Sequence, residues 1–134
     1  MTIEKLKKTI KKLRHPKDGC PWDKKQTHKS LMPYIIEEAY EVVEAIQKKS
    51  PTAIKEELGD LLLQIVLNSQ IAEENSDFTL NEVIEDINLK MIRRHPHVFQ
   101  NKKKLKQQEL KEQWDIIKAN EKNNKSNTPF STIL

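Results

Sequence analysis

Cysteine occurs once in the 134 residues, glycine twice, and aromatic side chains make up 5% of the chain. A lone Cys20 excludes an intramolecular disulfide framework and fits a reducing cytoplasm. No long apolar run is present: the strongest, residues 61–67, is interrupted by Gln64 and is far too short to span a bilayer. The first residues, MTIEKLKKTIKK, carry a lysine every few positions and no apolar segment of the secretory kind. With 33% charged residues, the composition suits a highly charged, soluble helical protein. The length allows one domain with a genuine core and is too small for two. We expect that domain over residues 1–122, with a polar, mobile tail over 123–134.

The net charge of +4 is unevenly spread, with lysines crowding residues 1–13 and 102–106 while acids dominate the middle. Such a balance is compatible with nucleic acid, but lysine-rich helix faces are more often solvated surface. Nucleic acid and membrane are therefore not the expected partners. The basic excess would also attract a polyanionic substrate toward an acidic centre.

What is present is a concentration of carboxylates. Glu37, Glu38 and Glu41 form an EExxE, and Glu57 and Asp60 form an ExxD after fifteen intervening residues. No lysine or arginine lies between Ser30 and Gln47 to neutralise the first group. Like charges at helical i, i+3 and i, i+4 spacing cost roughly 0.2–0.5 kcal/mol per pair even in water. A helix that gathers acids in this way needs cations.

The apolar periodicity predicts about five helices and little or no strand, an all-α bundle. The first covers about 3–13, with Ile3, Leu6, Ile10 and Leu13 on one stripe, and 15–26 reads as loop because Pro16, Gly19 and Pro21 break helix. The second runs over about 31–49, with Pro33 in its first turn. Ile35, Ile36, Ala39, Tyr40, Val42, Val43 and Ile46 form its apolar face, with Glu38 at the border and Tyr40 in the core. Ser50-Pro51 starts a third helix reaching about residue 74. That helix is apolar nearly all round, more than a monomer of this size can bury, so completion by oligomerisation, as dimer or tetramer, is expected. Its polar stripe is Glu57, Asp60, Gln64 and Asn68; Gly59 within it suggests close approach by another backbone or a ligand. A T-x-x-E capping box at Thr79 opens a fourth helix ending before Pro96. A fifth covers about 105–121 with Leu110, Trp114 and Ile117, and Trp114 is expected in the core.

Because only a few residues join the second and third helices, they must be antiparallel neighbours. Glu38 and Glu41 then come level with Glu57 and Asp60 across one gap. The result is an all-oxygen, hard-ligand set suited to Mg²⁺ or Mn²⁺. A solvated acidic face is the plainer reading of EExxE taken alone. The paired motif on otherwise apolar helices favours metal.

Four segments carry a more specific likeness. CPWDKKQTH (20–28), PYIIEEAYEVVEAI (33–46), EELGDLLLQIV (56–66) and RRHPHVF (93–99), in that order, resemble the MazG family of all-α nucleoside triphosphate pyrophosphohydrolases. The likeness extends over about 3–122 and closes on the W-x-x-I-K-x-x-E-K stretch at 114–122. It implies cleavage of a (d)NTP between its α- and β-phosphates to monophosphate and pyrophosphate, in nucleotide-pool house-cleaning. By the family pattern Glu38, Glu41, Glu57 and Asp60 would be the metal ligands. Glu37 would bind a second ion or take a proton from the attacking water, giving Glu37 and Glu38 catalytic roles. Lys90, Arg93 and Arg94 share one side of the fourth helix and would bind phosphate, although a basic helix C-terminus is equally explained by the macrodipole. Trp22 would stack on a nucleobase or anchor its loop in the core. His95 and His97 flank Pro96 and read as turn-forming residues. Longer relatives hold two tandem domains of this type; a single copy here favours a homo-oligomer.

Three other functions were weighed. Hydrolysis of an alarmone such as ppGpp would use the same site. A ferritin-like di-iron centre wants Glu-x-x-His on two helices, and no Glu here is followed by His three residues later. A non-enzymatic basic helical interaction module would bind through its lysine faces with a steep salt dependence.

Overall fold

A computed structural model describes residues 2–123. Residues 124–134, most of the expected mobile tail, lie outside the described residues. Every regular element among the described residues is an α-helix: α1 (Thr2–Leu13), α2 (Pro21–Lys25), α3 (His28–Gln47), α4 (Pro51–Glu74), α5 (Leu80–Arg94), α6 (Pro96–Phe99) and α7 (Gln107–Lys122). The five expected helices are present, and α2 and α6 are two short additions. Both begin with proline, whose fixed φ and missing N–H suit a first helical turn. No described helix is long and apolar enough to cross a membrane. The chain separates into two compact units that divide within α5, at residues 84 and 85.

In the first unit Ile10, Leu31, Val66, Leu67, Ile71 and Leu80 form the core, with Ile3, Leu6 and Leu63 packed against it. The α1 stripe expected from the sequence therefore lies on α4. Arg14, just past α1, ties the unit together. Its Nη1 donates to the carbonyls of Asp23 and Gln26, and its Nε and Nη2 donate to Glu74 at the end of α4, both at 2.8 Å. These bonds hold the Glu74 carboxyl below its ordinary range. Gly19 closes the turn between α1 and α2. A Cβ there would stand 2.6 Å from the His15 carbonyl oxygen, so no other residue fits without a shift.

Helix α3 starts three residues earlier than expected. Thr27 accepts from the Ser30 amide while the Ser30 hydroxyl accepts from the Thr27 amide, a reciprocal cap that outweighs the helix-breaking residue downstream. Pro33 consequently sits beyond the first turn, where it removes one backbone hydrogen bond. The α3–α4 connection is three residues long; Lys49 turns the chain with φ 55°, and Ser50 caps α4 by accepting from the Ala53 amide. The apolar face of α3 departs from expectation. Only Leu31, Val42 and Ala45 are buried on it, while Ile36 and Tyr40 are 71% and 64% exposed. Tyr40 is thus not a core residue, because the face that meets α4 is the one carrying Glu38 and Glu41. On α4, a Cβ at Gly59 would meet nothing within 4 Å among the described residues, so the close approach expected there is not made by this chain's described backbone.

In the second unit, α5 and α7 are joined by polar contacts. Arg94 is 3% exposed and donates from Nη2 to Glu121, and Arg93 donates from Nε to the other oxygen of the same carboxylate. The Trp114 indole donates to the Arg94 carbonyl at 2.7 Å, and its ring meets His95 edge-on. Trp114 is half-buried in this contact, an anchor rather than a fully enclosed core residue.

Candidate metal centre

Helices α3 and α4 bring Glu38, Glu41, Glu57 and Asp60 together. One carboxylate oxygen from each lies within 4.8 Å of all the others. The reason is local. Glu38 and Glu41 are one turn apart on α3, Glu57 and Asp60 one turn apart on α4, and the short connection makes the two helices antiparallel neighbours. The apolar residues that would otherwise fill this seam, Ile36, Tyr40 and Val43, point outward instead.

The electrostatics are unfavourable without a cation. Burial pushes the Glu38 carboxyl up, and the charges of Glu41, Asp60 and Glu37 add to the shift. Glu57 is pushed up to about 7, first by a hydrogen bond to Glu41, then by desolvation and by the neighbouring acids. Two carboxylates can share such a bond only if one proton sits between them. One oxygen of Glu38 and one of Glu57 are buried with no hydrogen-bond partner among the described residues. Buried acceptors without donors are costly, and a small divalent cation with oxygen ligands is the partner that would satisfy them. The donor set therefore fits Mg²⁺ or Mn²⁺.

Other residues singled out from the sequence are distributed differently. Glu37 is exposed and outside the four-carboxylate group. Trp22, on α2, is 48% exposed and meets Tyr34 edge-to-face at 5.8 Å. Lys90, Arg93 and Arg94 belong to the second unit; Arg93 is exposed and Arg94 is buried, both on Glu121. His95 and His97 are engaged locally, with the Met91 carbonyl and with Gln113. Sequence reasoning missed His28, whose Nδ1 lies 2.9 Å from the Asn68 side-chain oxygen. Glu121 is likewise not announced as a partner of Arg94, although it lies in the W-x-x-I-K-x-x-E-K stretch.

This arrangement can be set beside known proteins. The family model of the MazG nucleotide pyrophosphohydrolase domain matches residues 26–99, the stretch that holds all four carboxylates. The chain belongs to the MazG family. A nucleoside triphosphate pyrophosphohydrolase/pyrophosphatase MazG from Thermotoga maritima is 49% identical over 131 residues, 98% of this chain and 49% of that protein. A nucleoside triphosphate pyrophosphohydrolase from Escherichia coli K12 is 40% identical over 124 residues, 92% of this chain and 47% of that protein. The chain thus spans about half the length of these MazG relatives. The crystal structure of a mazG-related protein from Thermotoga maritima superposes with a TM-score of 0.71 at 28% identity, over 87% of this chain and 98% of that one. The all-α MazG-like fold expected from the motifs is the fold found.

Proposed function

We propose that this chain is a Mg²⁺-dependent nucleoside triphosphate pyrophosphohydrolase, with Mn²⁺ able to substitute. The observation that carries the reading is the meeting of four carboxylates from α3 and α4 with two buried oxygens left unpaired. The names of the relatives supply the reaction class.

In this reading Glu38, Glu41, Glu57 and Asp60 hold the metal. Such an ion, when bound, supplies Lewis acidity, neutralising phosphoryl oxygens and making water more acidic. The chain's own residues do the rest. Water adds to phosphorus, the α–β anhydride P–O bond breaks, and monophosphate and pyrophosphate leave. Glu37, exposed beside the cluster, takes the proton of the attacking water. Lys90, Arg93 and Arg94 are the phosphate-binding candidates that the family likeness implies, since a guanidinium fork suits phosphate oxygens. Arg93 and Arg94 share the Glu121 carboxylate in the free chain.

The outward apolar residues of α3, Ile36, Tyr40 and Val43, and Leu58 and Leu62 of α4 are too exposed for a lone soluble chain. A homo-oligomer that covers them completes the proposal. The direct test of the reaction is chromatography of products from (d)NTPs and ppGpp with Mg²⁺. Monophosphate and pyrophosphate in equal amounts are expected from (d)NTPs; orthophosphate alone would refute the bond assignment.

A further inference from the structure

The α4 stripe that carries Glu57 and Asp60 continues past the acids into Gln64 and Asn68, which line an open pocket of about 250 Å³ in the first unit. Its walls are almost wholly apolar, formed by Ile35 of α3, Leu61 and Ile65 of α4, and Phe78 and Val83 beyond it. Gln64 lies four residues, about 6 Å of helix rise, from Asp60. Ile35 lies three residues from Glu38 on the antiparallel helix. Both walls of the pocket therefore leave the acidic cluster on the same side.

Three polar side chains reach this pocket, and two are already satisfied. Asn68 is held at both ends, its oxygen by His28 Nδ1 and its amide by donation to the Gln64 carbonyl at 2.7 Å. Ser69 donates to the Ile65 carbonyl. The exception is Gln64: it is 7% exposed, and its Oε1 is buried without a partner among the described residues. A polar atom kept unpaired in an apolar wall is unfavourable for the free protein and becomes useful when a ligand brings a donor.

We infer that this pocket receives the nucleobase of the substrate, with Gln64 as its hydrogen-bonding residue. The assignment rests on the nucleotide reading above, because it uses phosphates held at the acidic cluster to set the base one sugar's length away. An aromatic heterocycle is flat and largely apolar on its faces, as Phe78, Leu61 and Ile65 require, and carries N–H donors on its edge, as Gln64 requires. Trp22, the base-stacking candidate from the sequence, already meets Tyr34.

The test uses the full chain and two ligands that differ by the base, a nucleoside monophosphate and ribose 5-phosphate, in calorimetric titrations without turnover. The wild type should bind the monophosphate at least tenfold more tightly. Gln64→Met, and separately Ile65→Trp to fill the pocket, should erase that gap and raise KM for NTPs by the same factor, with Mn²⁺ affinity unchanged. Gln64→Met should also melt no lower than the wild type, since it removes an unpaired acceptor. A gap kept by both variants overturns the inference, as does a gap erased only by Trp22→Ala. So does a lower melting point for Gln64→Met, which would mean that its oxygen is partnered within the protein. If Ile65→Trp dissociates an oligomer while leaving the gap intact, a second copy of the chain covers the pocket and the inference falls. If the wild type releases no pyrophosphate from any NTP, the reaction assignment fails, and the two titrations still decide the pocket.

Discussion

Glu41 of α3 and Glu57 of α4 stand within hydrogen-bonding reach across the helix seam, a contact two carboxylates tolerate only with a shared proton. The chain thus carries at its centre an interaction whose sign depends on what fills the seam. With protons or a cation it holds the two helices together; without either it pushes them apart.

The first prediction concerns pH. The Glu57 carboxyl is pushed up to about 7 in the folded chain, from an ordinary 4.5. For an acid whose pKa is raised by folding, the protonated form favours the native state. Its contribution is complete below about pH 4.5 and is lost as pH rises through 7. Metal-free protein should therefore melt at a lower temperature at pH 8 than at pH 5. Saturating Mg²⁺ should remove most of that difference, as a ligand that binds only the native state does. Melts at both pH values, with EDTA and with Mg²⁺, check this; an unchanged melting point with EDTA would contradict it.

Charge removal in the cluster should separate stability from function. Glu38→Gln or Asp60→Asn should lower kcat by roughly 10²-fold or more, the scale on which single electrostatic groups act in catalysis. The helical circular dichroism should be unchanged, and the metal-free variants should melt at or above the wild-type temperature, because one repelling charge has gone. Full activity in both would mean that other residues hold the metal.

In the second unit the opposite logic applies. Glu121 is held down to about 2, chiefly by its hydrogen bond to Arg94 and then by Arg93. For a depressed acid, the stabilisation is present above about pH 4.5 and is lost as pH falls toward 2. Glu121→Gln strands the buried Arg94 charge, and removing one partner of such a pair costs roughly 3–5 kcal/mol. Urea unfolding of the variant at pH 7 measures the loss.

The two glycines should respond in opposite directions. Gly59→Ala has open space for its methyl group and should stabilise α4 by about 1 kcal/mol. Gly19→Ala must displace the His15 carbonyl and should destabilise. If Gly59→Ala also lowers activity with the fold intact, a ligand or a second copy of the chain approaches that position.

The exposed stripe of α3 gives a fifth expectation. Ile36→Lys places a charge in the face proposed to be covered by another copy, and sedimentation should show a smaller species. An unchanged sedimentation coefficient would locate the interface elsewhere.

Much of this was legible in the chain because its signals are local. The Ser50-Pro51 start of α4, the Thr79 capping box and the Pro96 stop depend on neighbouring residues and appear where expected. The pairing of Glu38 and Glu41 with Glu57 and Asp60 followed from a short connection and helical spacing. The orientation of α3 was not legible. Its strongest apolar stripe predicts a core face, yet its partly buried acids face α4, an order that hydrophobic periodicity alone ranks the other way. The start of α3 was also hidden, because Pro33 looked decisive while the Thr27–Ser30 cap acts six residues upstream. Long-range contacts such as His28 with Asn68 and Arg94 with Glu121 join residues 40 and 27 positions apart, and no spacing rule announces them.

All four clustered acids come from a single hairpin whose arms are linked by three residues. Its geometry is consequently fixed by neighbours along the chain, and closing so short a loop is entropically cheap. That makes the hairpin a portable cassette. The segments before and after it can be exchanged, lengthened or duplicated while the four-carboxylate cluster is inherited whole.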